Sequence, residues 1–323
     1  MDYKLQLKPI KKEIPIFFSV DDNYASFLLV ALKSIQENSS RDYNYSVYVL
    51  HDGLNKDTML TIKSYEDENY KIKFVNVKLK LLRHSNKLHT RDYYSKSTYY
   101  RLFIQRLFPK YDKVIYLDSD IIVTGDISEL YNIDLGEYLV SAGHEDVMQN
   151  TEVFGSYVEQ VLGIDRNNYF NAGVLVINLK LFRKEKVEEQ FLRLISKFKF
   201  TVTQDEDYLN VICKDRVLFF DRGWNLSPEV ELEEEKIRLV HYKMANKPWH
   251  YDDVRYGDYF WKYAVKTDFY QALKFTKDNY SAKDKEYDIK VYNNLVQMAK
   301  EDMLNPNNYF NQLKKSREEK INA

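Results

Sequence analysis

Strand-length apolar runs alternate with helix-spaced apolar residues through the first half of this chain, and that alternation leaves few folds open to it. Ile16-Phe17-Phe18-Ser19-Val20 reads as a buried strand, and Tyr24, Phe27, Leu28, Ala31, Leu32 and Ile35 then recur on one helix face. The same reading predicts a strand over 45–50, a helix over 56–68, a strand over 72–77 and a helical segment over 97–107. Strands joined by crossover helices build a parallel sheet flanked by helices, so the expected class is α/β. Farther on, Val174-Leu175-Val176-Ile177 supplies another strand, and Val187, Phe191, Ile195 and Phe198 mark the core face of an amphipathic helix. From about Tyr256 the texture turns to lysine- and tyrosine-rich helical segments, with Ile289, Tyr292, Leu295, Val296 and Ala299 at helical spacing before a charged tail over 314–320.

Two carboxylates interrupt the apolar run Val114-Ile115-Tyr116-Leu117-Asp118-Ser119-Asp120-Ile121-Ile122-Val123. Ionised groups two positions apart at the end of a buried strand repel each other and lose hydration, a cost of several kcal/mol unless a cation or strong donors compensate it. Carboxylate oxygens are hard ligands suited to Mg²⁺ or Mn²⁺, and such ions keep positions open for the oxygens of a phosphate. In sheets of this class ligands sit at the carboxyl ends of strands, the edge where Asp21-Asp22-Asn23 and Asp118-Ser119-Asp120 both fall. Only 9 of the 323 residues are glycine, and neither a dinucleotide-binding nor a P-loop glycine pattern occurs, so a phosphate must be held in another way.

The balance of 48 basic against 49 acidic residues gives no overall field to recruit nucleic acid. A single cysteine, Cys213, excludes an internal disulfide and a cysteine metal cluster. The N-terminal residues 1–12 are polar, and no later run approaches the roughly 18 apolar residues of a membrane span. These features lead to the expectation of a cytoplasmic protein.

A second cluster of chemically capable residues, His241-Tyr242-Lys243-Met244-Ala245-Asn246-Lys247-Pro248-Trp249-His250, follows the strand-like Ile237 to Val240. Taken alone, His241 reads as an ordinary surface or core histidine; joined to the aspartates it could complete a mixed oxygen and nitrogen metal site, with Lys247 adding positive charge beside a diphosphate. Six blocks then share one order: Ser19 to Tyr24, Tyr99-Tyr100-Arg101-Leu102, Ile115 to Asp120, Tyr169-Phe170-Asn171-Ala172-Gly173-Val174, Gln204-Asp205-Glu206-Asp207, and His241 to Trp249. In them the chain resembles the family 8 glycosyltransferases, retaining enzymes of the bacterial lipopolysaccharide galactosyltransferase type with glycogenin among their relatives. The resemblance implies a GT-A fold, a Rossmann-like mixed and mostly parallel sheet flanked by helices, with a catalytic domain over 13–255 and a C-terminal helical extension over 256–323. It implies a UDP-hexose donor, Mn²⁺ with Mg²⁺ as the substitute, and a glycan or glycoprotein acceptor.

Residue by residue, the resemblance makes Asp118, Asp120 and His241 the metal ligands. It puts Val20, Asp21, Asn23 and Tyr24 around the uracil and ribose, Ser119 beside the donor, Arg101 at the sugar and Lys247 at the phosphates. Asp146, Asn171 and Asp205 would bond sugar hydroxyls, Gly173 would let the backbone approach closely, and Glu206 with Asp205 would face the reacting carbon. Two departures stand out. Met244 occupies a position where the family commonly has glycine, so either the loop shifts or Ala245 takes over its approach to the diphosphate. Glu206 stands where glutamine is usual; it makes a covalent route conceivable, and the favoured expectation is attack from the leaving-group side with Glu206 stabilising positive charge. Two rival readings accompany this one, a sugar-nucleotide binding protein without turnover and an Asp-x-Asp phosphohydrolase. The C-terminal segment reads either as a peripheral contact with the inner face of the plasma membrane or as a helical cap, with a homodimer as a further option.

Overall fold

The computed structural model describes residues 11–81, 86–90 and 95–321, so the N-terminal run as far as Ile10 and the last two residues of the C-terminal segment lie outside it. The strands are β1 (Glu13–Ser19), β2 (Asn44–His51), β3 (Tyr70–Asn76), β4 (Lys113–Leu117), β5 (Ile121–Val123), β6 (Val140–His144), β7 (Phe170–Asn178), β8 (Val217–Phe219) and β9 (Leu239–His241). Seven of them form one sheet in the order β3-β2-β1-β4-β7-β6-β8, and β5 pairs with β9 in a second, two-stranded sheet. In the large sheet β7 runs antiparallel to both of its neighbours, β4 and β6, and every other pairing is parallel. The result is a mixed, mostly parallel sheet flanked by helices, as expected.

The central strands are apolar on both faces because helices cover both. Along β1, Ile14, Ile16 and Phe18 enter one apolar cluster and Phe17 enters the other. β4 repeats this, with Ile115 and Leu117 on one side and Val114 and Tyr116 on the other, as does β7 with Val174 and Val176 against Leu175 and Ile177. That is the two-residue period of a strand sorting its side chains between two cores. The helix Ala25–Asn38 lies on the first face and buries Leu28, Ala31, Leu32 and Ile35 in the same cluster.

Several boundaries depart from the sequence expectation for physical reasons. Residues 114–123 are not one strand. After Leu117 the backbone N–H of Asp118 donates to Gly173 O (2.7 Å), and the chain then leaves the large sheet so that Ile121 pairs with His241 in the small one. The helix expected over 56–68 is Lys56–Lys63, because Glu66 and Asp67 turn onto backbone N–H groups of Ile72, Asn69 and Tyr70 and terminate it. The segment expected over 97–107 is a tight 3-10 turn, Lys96–Phe103, running into a short α-helix, Ile104–Leu107. Phe198 lies just past the end of the helix Val187–Lys197, and the strand around Val174 is longer than its apolar run.

The C-terminal segment folds as the helices Gly257–Ala264, Tyr270–Asp278, Ala282–Leu304 and Tyr309–Ile321. Ser281 and Asp284 form a reciprocal capping box at the start of the long helix, which buries Leu295 and Ala299 and leaves Ile289 and Tyr292 exposed. Among the described residues no helix is long and apolar enough to cross a membrane.

Candidate active site

Asp118, at the carboxyl end of β4, and Asp120, just before β5, meet His241 because the small sheet sets His241 opposite Ile121. One ligand atom from each of the three lies within 4.8 Å of the others. His241 Nδ1 lies 2.9 Å from Asn225 Oδ1, an acceptor that fixes the proton on Nδ1 and leaves the Nε2 lone pair facing the carboxylates, 3.3 Å from Asp120 Oδ1. Asn225 also donates through Nδ2 to Asn171 Oδ1 (3.0 Å), which receives the N–H of Gly173 at 3.0 Å. A Cβ on Gly173 would stand 2.3 Å from His241 Cε1 and 2.6 Å from Asp118 Oδ2, so only glycine fits beneath the trio. Two carboxylates and an imidazole held in one tautomer suit a divalent ion that accepts both oxygen and nitrogen.

Lys247 Nζ sits 2.6 Å from Asp120 Oδ2 and 2.6 Å from Tyr242 O. Burial alone would push the Asp120 carboxyl up, but Lys247 and His241 outweigh it and hold the group well below the usual range. Arg101 bridges the other two acids. Only 4% exposed, it lies 3.2 Å from Asp118 Oδ1 and 3.0 Å from Asp205 Oδ2, stacks 4.4 Å above the Tyr116 ring and donates to Ala172 O. It is the cation that holds two acids together as well as a wall of the cleft.

Asp205, Glu206 and Asp207 open the helix Asp205–Ile212. The preceding Gln204 is fully buried at φ 54 and ψ −114, a conformation L-residues avoid, and Asp207 braces that turn. Its carboxylate receives Tyr157 OH at 2.8 Å, Tyr169 OH at 2.9 Å and Thr203 N at 3.2 Å. Burial nonetheless pushes Asp207 up to about 6. Glu206 Oε2 accepts from Ala172 N (2.7 Å) and Asn171 Nδ2 (3.2 Å), and burial with the nearby Glu145 pushes this carboxyl well up.

Glu145 was not singled out by the sequence. It is nearly buried, pairs with Lys243 at 3.0 Å, and accepts from Asn171 Nδ2 at 2.6 Å, so it faces the cleft beside Glu206. Asp146, the residue expected there, instead pairs with Arg222 at 2.8 Å and lines a separate small cavity. The cause is local: Glu145 caps the short helix Asp146–Asn150, and Asp146 as its first residue points the other way. The structure thus corrects the expected placement: Glu145, and not Asp146, lines this cleft. Asn225 and Lys243 were missed as well; the only sequence signal was Lys243's place two positions after His241.

On the remaining side Tyr24, Ser19 and Ser119 line the cleft, whose volume is about 200 Å³. Val20 is buried just past β1, and Asp21 Oδ1 accepts from the N–H groups of Asn23 (3.0 Å) and Tyr24 (3.2 Å), which fixes the turn that presents the Tyr24 ring. Asn23 is exposed and does not reach the cleft lining. Met244 also lines the cleft and has φ 55, so it keeps the left-handed backbone a glycine would adopt there and adds a side chain.

This sheet order and the cleft at its carboxyl edge define a transferase of the GT-A class, and solved structures share them. The galactosyltransferase LgtC, in complex with donor and acceptor sugar analogs, aligns with a TM-score of 0.67 at 26% identity over 79% of this chain and 96% of its own. The bifunctional glycosyltransferase WbbM aligns with a TM-score of 0.73 at 26% identity over 84% of this chain, which spans 53% of that one. The sequence profile of glycosyl transferase family 8 matches residues 15–253, and the lipopolysaccharide 1,2-glucosyltransferase of Escherichia coli K12 is 30% identical over 280 residues, 79% of each chain. The chain belongs to glycosyltransferase family 8, and the phosphohydrolase reading falls with that.

Proposed function

We propose that the protein is a retaining hexosyltransferase that moves glucose or galactose from a UDP-sugar to a hydroxyl of a growing glycan, in lipopolysaccharide, capsule or glycoprotein. The observation that carries this reading is one cleft in which the Asp118, Asp120 and His241 trio adjoins the Arg101, Asp205, Glu206 and Glu145 group. A glucosyltransferase and a galactosyltransferase among the relatives support a hexosyl donor. Residues 13–255 would form the catalytic unit, with 256–323 attached to it.

Asp118, Asp120 and His241 would hold Mn²⁺ or Mg²⁺, which when bound supplies positive charge against the diphosphate. Tyr24 offers a face to the uracil, and Lys247 a mobile cation to the phosphates. The bond from the sugar's C1 to the β-phosphate oxygen breaks, the acceptor oxygen bonds to C1 from the same side, and the hydroxyl proton passes to the departing UDP. Asn171, Asp205 and Glu145 would orient the sugar through its hydroxyls. Same-side attack is favoured because the N–H groups of Ala172 and Asn171 both converge on Glu206 Oε2 and occupy lone pairs that a nucleophile would use.

Incubation with UDP-glucose or UDP-galactose and Mn²⁺ is expected to release UDP slowly even without acceptor, and chelation to stop it. Asp120→Ala should abolish that release; undiminished hydrolysis would remove Asp120 from the ligand set. Tight UDP binding with no release from either donor would favour a sugar-nucleotide binding module instead.

A further inference from the structure

One end of the cleft has a different chemistry from the rest. Val147, Met148, Phe154, Val202, Val291 and Leu295 line it, and five of the six are less than 5% exposed. Their side chains offer no hydrogen-bonding group. Val291 and Leu295 come from the helix Ala282–Leu304, which lies wholly beyond residues 15–253, the stretch the family profile matches. That part of the wall therefore comes from outside the stretch the family profile matches, and the other four residues from within it.

That helix is held firmly against the catalytic unit. Leu295 and Ala299 enter the apolar cluster that contains Tyr116 and Leu175 of the central sheet. The Asp288 carboxylate accepts from Tyr251 OH at 2.6 Å and Tyr280 OH at 2.7 Å, and the Tyr280 ring stacks on His250 at 3.9 Å, just past the Lys247 loop. Phe154 meets Tyr292 edge-on at 6.0 Å. Val291 is different: 4% exposed, it joins none of the three apolar clusters among the described residues, and what it faces is the cleft.

The sequence of groups along the cleft sets what this wall can meet. Ionic partners surround the metal trio, the acids and amides around Glu206 and Glu145 come next, and Val147, whose N–H donates to Glu145 Oε1 at 3.3 Å, and Met148 stand two and three positions beyond Glu145 on the helix it caps. If the donor's diphosphate and hexose occupy the first two regions, the third is left for the molecule that attacks. A sugar hydroxyl pressed against six apolar side chains would lose its water partners and gain none, which disfavours it strongly. An alkyl or aryl group would be favoured there in proportion to the area it buries.

We propose that Val291 and Leu295, with Val147, Met148, Phe154 and Val202, form an acceptor subsite that selects a glycoside carrying an apolar substituent beside its accepting hydroxyl. This rests on the reading of the polar end as a UDP-sugar site. The test uses the full chain loaded with UDP and Mn²⁺, and paired ligands in which the sugar ring cancels: methyl and p-nitrophenyl glycosides of glucose, galactose and N-acetylglucosamine, titrated by calorimetry. At least one p-nitrophenyl glycoside should bind about tenfold more tightly than its methyl partner, about 1.4 kcal/mol. Val291→Asn should collapse that ratio, and Val291→Phe, which fills the space without adding a polar group, should collapse it too. The ratio within a pair is the readout, so a general loss of folding or UDP affinity, which weakens both members alike, does not imitate the effect. Equal affinities within every pair, no glycoside binding at all, or a preference that survives both substitutions would overturn the subsite. Failure of UDP to bind in the presence of Mn²⁺ is a separate result, which overturns the proposed function and this inference with it.

Discussion

Two N–H donors, from Ala172 and Asn171, converge on Oε2 of Glu206, while Glu145 stands near enough to oppose a second negative charge. Burial and Glu145 favour the protonated form of Glu206, and a protonated carboxyl approaches the glutamine usual in the family in shape and charge. Glu206→Gln should therefore keep kcat within about tenfold, whereas removal of a true nucleophile costs on the order of 10⁴-fold or more. As pH rises the native enzyme should lose activity as Glu206 ionises, and the glutamine variant should lack that step. A collapse of kcat in the variant would restore the covalent route. Asn225 makes a second prediction at this scale, because its Oδ1 sets the His241 tautomer. Asn225→Ala should weaken Mn²⁺ binding by roughly 10- to 100-fold, measured as the Mn²⁺ concentration needed for half-maximal UDP affinity. An unchanged requirement would mean that His241 is oriented without it. Asp118 and Asp120 were legible in the sequence because charge inside an apolar run is anomalous wherever it occurs, and His241 was legible only in combination with them. Glu145, Lys243 and Asn225 were not, since each looks locally like a cap or a surface residue and gains its meaning from partners 26, 98 and 16 positions away.

At the scale of elements, the helix Asp205–Ile212 begins with three acids, and it is held by a turn in which Gln204 is strained and Asp207 is buried. Acids at a helix N-terminus gain from the macrodipole, yet Asp207 is still pushed up to about 6 by burial. The sign of the resulting pH dependence follows from linkage. The folded value lies above the 3.8 of an ordinary aspartate, so the folded state holds the proton longer, and stability is lost as pH rises from about 3.8 to about 6. A shift of about two units corresponds to about 3 kcal/mol. Chemical denaturation of the native protein and of Asp207→Asn at a series of pH values should show the difference between them moving by roughly that amount in the variant's favour between pH 4 and pH 7. A constant difference would show that Asp207 ionises freely in the fold. The elements themselves were readable where periodicity was strong: β1, β2, β3 and the helix Ala25–Asn38 lie where the apolar pattern puts them. The break between β4 and β5 was not readable, because an apolar run bears no mark of which sheet it joins. What separates the two strands is the partner of each, Val174 for Leu117 and His241 for Ile121.

On the scale of the molecule, the metal trio is assembled from both sheets, and its supports come from β7 and the turn Arg222–Asn225, so nearly every layer of the catalytic unit contributes to one site. The C-terminal helices read from sequence as an extension without a sharp linker, because their lysine-rich texture differs from what precedes them. Packing joins them to the rest: Leu295 and Ala299 belong to the apolar cluster under the central sheet, and Asp288 ties Tyr251 to the long helix. Elements that share a core lose it together, so the full chain should melt in a single calorimetric transition whose calorimetric and van't Hoff enthalpies agree. Ligand binding sharpens the test. UDP with Mn²⁺ at about 100 times its dissociation constant should stabilise the folded state by about 2.7 kcal/mol and move the entire transition upward. UDP with a chelator should move it far less, and Asp120→Ala should be insensitive to the metal. Two resolved transitions, only one of them responding to UDP and Mn²⁺, would show that the C-terminal helices unfold on their own. The wall they lend to the cleft would then be a mobile one, and binding at the apolar end should be read as coupled to their docking.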